Sequence, residues 1–156
     1  MRIAVVAVGQ RLPAWAEQAC ADYAGRFPPD WKLELKTVKA EPRTGGLTRE
    51  ALMAREADRI EAAVPRGACW VVLDERGRSV TTAQFAAQLQ QWQRDAQQPC
   101  FVVGGADGLA ERVKQRAQHT LRLSDMTLPH ALARVLLLEQ LYRACSLLAG
   151  HPYHRE

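Results

Sequence analysis

The sequence predicts an α/β fold with a largely parallel sheet and helices on both faces. Two observations carry this reading. Short, uninterrupted apolar runs recur at 3–9, 68–75 and 100–105, as expected of strands buried on both sides. Helical periodicities lie between them, so strand and helix alternate along the chain, as they do when parallel strands are joined by crossover helices.

The elements follow in order. "IAVVAVG" (3–9) is a buried strand ending at Gly9, and "PAWAEQACADYAGRF" (13–27) is a helix with Pro13 in its first turn. "WKLELKTV" (31–38) alternates apolar and polar, which suits a half-exposed strand. Residues 47–63 form a rather polar helix, and "ACWVVLDE" (68–75) a second buried strand. In "TTAQFAAQLQQWQRDA" (81–96), Phe85, Leu89, Trp92 and Ala96 share one helical face, and Thr81 or Thr82 can cap it. "CFVVGG" (100–105) is a strand, 109–117 a short helix and "TLRLSD" (120–125) a fifth strand. The longest helix runs from Pro129 to Gly150. Its apolar residues cover most of its circumference, so it must be buried on more than one side. In so small a domain the second side is expected to be another subunit, in a two-fold homodimer.

Composition sets the limits. The 156 residues form a single domain (1–156), 47% hydrophobic and 24% charged. No apolar run is long enough to span a membrane, and the N-terminus looks like a first strand rather than a signal peptide, so the expected location is cytoplasmic. Cys20, Cys69, Cys100 and Cys145 are far apart and form no metal-ligand pattern; Cys69, Cys100 and Cys145 are expected in the core, without disulfides. The net charge of +4 permits a polyanionic partner without requiring one. "KAEPRTGGLT" (39–48) is expected to be a mobile surface loop or lid. Lys36, Lys39, Arg43 and Arg49 around it are either a solvated face or an RNA contact.

The stretch "CFVVGGADGL" (100–109) carries three glycines after a strand. It is not a P-loop, because Leu109-Ala110 stands where a Lys and a Ser/Thr are needed. The spacing G-G-x-x-G is not the dinucleotide fingerprint, and Asp107 would oppose an anion. The glycines either simply make the turn or seat some other ligand. "LSDMTLPH" (123–130) also links a strand to a helix, and "VVLDERG" (71–77) leaves a third strand. On a parallel sheet these three turns converge at one edge, where ligands bind. The pocket expected there is apolar (Leu73, Leu123, Met126, Leu128), rich in free backbone groups and without a cationic clamp. It suits a flat heteroaromatic ligand with a neutral or positive body, of which S-adenosylmethionine is an example.

The tail "HPYHRE" is either a solvated chain end or a substrate contact. Tyr153 can stack on a base, His154 can exchange a proton and Arg155 can pair a phosphate. No Cys or clustered carboxylate supports a metal at His151 and His154. Arg143 is either paired with Glu139 at i, i+4 or an active-site arginine supplied across a dimer. His130 is either a packed residue at the helix start or part of a site.

The chain closely resembles the bacterial ribosomal RNA large subunit methyltransferase H family, of the SPOUT class. The block "LSDMTLPHALARVLLLEQLYRA", the ending "HPYHRE", the loop "GGADG" and "RFP" at 26–28 carry the resemblance, while 39–66 adds little. It implies a C-terminal deep trefoil knot and a homodimer. It also implies S-adenosylmethionine bound by backbone groups at Leu73, Gly104, Gly105, Leu123, Ser124, Asp125, Met126, Thr127 and Leu128, with no metal. Asp125 would be a carboxylate on the sulfonium side rather than a base. The implied activity is methylation of N3 of a pseudouridine in 23S rRNA on the assembled ribosome. His154 is the candidate base, with Tyr153, Arg155 and Arg143 at the substrate. Two further readings stay open: a non-catalytic ribosome-binding factor that keeps the fold, and a nucleotide-binding α/β enzyme.

Overall fold

The computed structural model describes residues 1–155; the side chains of His154 and Arg155 lie outside the described residues. Five parallel strands form one sheet in the order β2-β1-β4-β3-β5. They are β1 (Arg2–Val8), β2 (Lys32–Val38), β3 (Cys69–Ser79), β4 (Pro99–Val103) and β5 (His119–Arg122). The helices are α1 (Ala14–Gly25), α2 (Arg49–Ala63), α3 (Thr82–Arg94), α4 (Glu111–Arg116) and α5 (His130–Ala149), followed by a 3-10 turn at Pro152–Arg155.

Strand pleating sorts the apolar runs into two cores. Ile3, Val5 and Ala7 of β1 join Val71, Phe101 and Val103 beneath α1, α3 and α5. Ala4, Val6 and Val8 join Val72, Cys100 and Val102 beneath α2 and α4. Phe85 and Trp92 of α3 stand edge-on to Phe101 at 5.8 and 6.1 Å between ring centroids. The half-exposed strand expected at 31–38 is the sheet edge β2, which explains its alternation. All four cysteines are buried and unbridged, and burial pushes the Cys100 thiol up to about 12 and Cys145 to about 11.

Sequence chemistry accounts for the ends. Thr81 accepts from the Gln84 N–H at 3.1 Å while the Gln84 side chain accepts from the Thr81 N–H at 2.9 Å, a complete capping box. Gly150 ends α5 in the left-handed region (φ 69°), and the next N–H, from His151, bonds back to Ser146 at 2.8 Å.

The third strand departs from expectation. It does not stop near Glu75 but detours and rejoins the sheet: Leu73 and Arg78 both pair with Leu121. Residues 74–77 are therefore looped out over the sheet edge. Gly77 makes the return possible, since a Cβ there would stand 2.9 Å from Leu121 N and C. Gly77→Ala should cost about 1–3 kcal/mol of stability in urea denaturation, the usual penalty for overpacking. Gly45→Ala, where a Cβ meets nothing within 4 Å, should be neutral or slightly stabilising.

Candidate active site

Three turns meet at the C-terminal edge of the sheet, as they must when β3, β4 and β5 run parallel. They are the detour 74–77, the glycine loop 104–108 and the segment 123–128. They enclose a cavity of about 570 Å³, within the range of small-molecule sites. Leu73, Gly104, Gly105, Leu123, Ser124, Met126, Thr127 and Leu128 all line it. Asp125 does not; its exposed carboxylate pairs with Arg122 at 3.0 Å.

The walls are backbone-rich. Gly104 approaches the returning loop so closely that a Cβ would lie 2.8 Å from the Gly108 carbonyl carbon. Gly108 sits at φ +82°, and Gly105 and Gly108 form a small antiparallel bridge. Within 123–128 the Met126 N–H is taken by Ser124 Oγ at 2.9 Å. Among the described residues no turn or loop backbone bond engages any other peptide group of 124–128. Two buried side-chain polar atoms lack a partner among the described residues, Arg122 Nε and His130 Nδ1, and both residues line this cavity.

The pocket is more charged than expected. The expected absence of a cationic clamp is corrected: Arg49, Arg76, Lys114 and Arg122 all border the cavity, with Asp74, Glu75 and Asp107. Long side chains from α2 and α4 reach the rim, where local spacing gives no hint of them. Most are neutralised there. Lys114 pairs with Asp74 at 3.6 Å and Arg49 with Asp107 at 3.7 Å. The greasy lining is also thinner than expected, since Met126 is 79% exposed.

The loop 39–48 is not free either. Glu56 of α2, 2% exposed, accepts from the Glu41 N–H at 2.9 Å and from Arg43 at 3.2 Å. Arg43 also pairs with Asp107 at 2.8 Å, and Arg59 binds both Glu41 and the Lys39 carbonyl. Lys36 donates to the Ala63 carbonyl at 2.9 Å. Of the cations proposed for RNA, Arg43, Arg49 and Lys36 are thus engaged within the chain. Sequence reasoning missed Glu56; a lone carboxylate on the buried side of a polar helix was the available signal.

The tail cluster lies elsewhere. Tyr153 donates to Glu139 Oε1 at 3.2 Å, and Arg143 donates to the same oxygen at 2.7 Å. The Arg143 guanidinium sits 4.9 Å from the Tyr153 ring, which meets Tyr142 at 4.7 Å. Burial, then Tyr23 and Glu139, push the Tyr153 phenol well above its ordinary range. Arg143 thus makes the i, i+4 pair with Glu139 considered in the sequence and also stacks on Tyr153 of the tail. His154 and Arg155 have side chains outside the described residues. Tyr153 thus packs against Glu139 and Tyr142 of its own α5. The pocket borders His130 and Ala133, while Arg143 lies thirteen residues along the same helix, about 20 Å of rise.

His130 packs under Gly9, and Arg134 donates to the Gly9 carbonyl at 2.8 Å. Burial and the Arg134 guanidinium lower the imidazole below its ordinary 6.5, so the folded state favours the neutral ring. The unfolded chain then takes up the proton first on acidification. The contribution is complete above pH 6.5 and is lost as the pH falls through the lower folded value. The melting temperature should drop between about pH 7 and 5, and less steeply in His130→Gln; equal slopes would remove the imidazole as the cause.

The described residues contain no helix long and apolar enough to cross a membrane and no cluster of three or more His, Cys, Asp or Glu able to hold a metal. A family model described as "Predicted SPOUT methyltransferase" matches residues 1–154. The chain is 64% identical to a ribosomal RNA large subunit methyltransferase H from Methylibium petroleiphilum and 60% identical to one from Leptothrix cholodnii, over the full length of each. A probable methylase family protein of known structure from Haemophilus influenzae Rd KW20 shares the fold at TM-score 0.54 and 13% identity, covering 97% of this chain and 69% of that one. The turns, the glycine loop and these matches agree: the chain belongs to the ribosomal RNA large subunit methyltransferase H family of SPOUT methyltransferases.

Proposed function

We propose that the protein transfers a methyl group from S-adenosylmethionine to N3 of a pseudouridine in 23S rRNA, acting in the cytoplasm on the assembled ribosome as a knotted homodimer. The observation that carries the donor site is the cavity at the sheet edge, of a size that fits, where among the described residues the peptide groups of 124–128 other than the Met126 N–H have no turn or loop backbone partner. Leu73, Gly104, Gly105 and 123–128 would hold the donor, with Asp125 at its rim. When bound, the donor supplies an electrophilic methyl carbon.

The pocket and the tail cluster sit at different places on α5, so a second chain is needed to bring them together. Leu132 and Leu136 are only half-buried and Leu147 is 37% exposed, leaving an apolar face for that partner. Tyr153, Arg143, His154 and Arg155 of one chain would then face the pocket of the other. Tyr153, a phenol that carries its proton at neutral pH, would then serve as a platform for the base rather than as the proton acceptor. His154 remains the candidate acceptor.

Labelled donor should transfer methyl to ribosomes from cells lacking the protein, and mass spectrometry should place it on pseudouridine. Transfer that is equally fast on protein-free rRNA would contradict the ribosome requirement; ribosome binding without transfer would favour the non-catalytic reading. Complementation tests the shared site. Arg143→Ala and a pocket variant such as Gly104→Val should each be inactive alone. Mixed and reassorted, they should recover about a quarter of wild-type activity, because half the dimers carry one intact site. No recovery would place both clusters' work within one chain.

A further inference from the structure

We infer that Arg43, Glu56 and Asp107 form a positioning clamp that holds the glycine loop in the shape of the donor cradle. The inference rests on the donor-pocket reading and adds Arg43 and Glu56, which lie outside the glycine, strand-end and tail motifs.

Glu56 is almost fully buried, and a buried carboxylate persists only when paired and hydrogen-bonded. It has both kinds of partner: the Glu41 N–H at 2.9 Å and the Arg43 guanidinium at 3.2 Å. Arg43 reaches past it to Asp107 at 2.8 Å. Arg49 adds a second tie, to the Asp107 carbonyl at 3.0 Å. Glu56 Oε1 is also 3.9 Å from the place a Gly105 Cβ would occupy, so the carboxylate lies directly beneath the loop.

The loop needs such support. Four of its five residues are glycine or alanine, and its one functional side chain is Asp107. Glycine gains flexibility at an entropic cost when ordered. The guanidinium is a planar fork able to bridge two carboxylates, which an ammonium would do poorly. Arg43 thus fixes the rim of the cavity to α2. Its pairing also offsets the charge of the Asp107 carboxylate at the cavity rim.

The test uses the full-length protein. Asp107→Asn removes one charge at a partly exposed site and should fold. Arg43→Met with Glu56→Gln removes the buried pair together, so no orphaned charge remains. Amide hydrogen exchange at 104–108 should rise about tenfold in both, with exchange in β1 and β4 unchanged. Affinity for S-adenosylhomocysteine, measured by calorimetry, should fall about five- to tenfold, and Asp107→Glu should restore most of it. Unchanged exchange at 104–108 in both proteins would overturn the clamp. Faster exchange with unchanged affinity would overturn its positioning role. Wild-type protein that fails to bind S-adenosylhomocysteine would overturn the donor-pocket reading instead, and the exchange rates would still decide the clamp.

Discussion

Leu121 meets β3 twice, at Leu73 and again at Arg78, and the cavity depends on that repetition. A regular parallel ladder would offer one partner and carry β3 past the sheet edge. Here Asp74–Gly77 leave the sheet, form a wall, and return through a contact that tolerates no side chain at Gly77. Gly104 makes the second such approach, against Gly108. Two glycines thus set the distance between turns at the one edge where strand ends leave peptide groups available. The irregular segment 123–128 completes the enclosure, with Leu123, Ser124, Met126, Thr127 and Leu128 all lining it.

The length of α5 imposes the next constraint. Its first turn borders the cavity, whereas Glu139, Tyr142 and Arg143 hold the tail. A helix cannot bend through that distance without a break, and α5 has none between His130 and Ala149. Chemistry that used both ends would need a second helix, as the proposed dimer supplies. The half-buried leucines along α5 point the same way, since its own chain leaves them uncovered.

Local chemistry made most of the fold legible. Alternation and uninterrupted apolar runs marked the strands, Thr81 and Gly150 marked helix ends, and the polar alternation of 31–38 marked an edge. The convergence of the three turns followed from parallel strands alone. What stayed hidden depends on pairing across the chain. The detour after Leu73 is a relation between β3 and β5, so nothing in "VVLDERG" announces it. Arg43, with two glycines close by, read as part of a mobile lid because its partners Glu56 and Asp107 lie on other elements. The contact of Tyr153 with Glu139 was hidden too, because the turn that folds it back begins only beyond Gly150.

The electrostatics of the tail cluster constrain the proposed reaction further. Removing the proton from an imide nitrogen creates an anion beside an electrophilic carbon. A phenol already carries its proton at neutral pH and so cannot take another, and burial, Tyr23 and Glu139 raise that of Tyr153 further. Glu139 already accepts from both Tyr153 and Arg143 through one oxygen. If the tail cluster works at the substrate, as proposed, the Arg143 guanidinium, already oriented by Glu139, would be the group that meets the developing negative charge. Charge stabilisation of that kind would lower the barrier to deprotonating the bound imide and so reduce the demand on the proposed acceptor, His154.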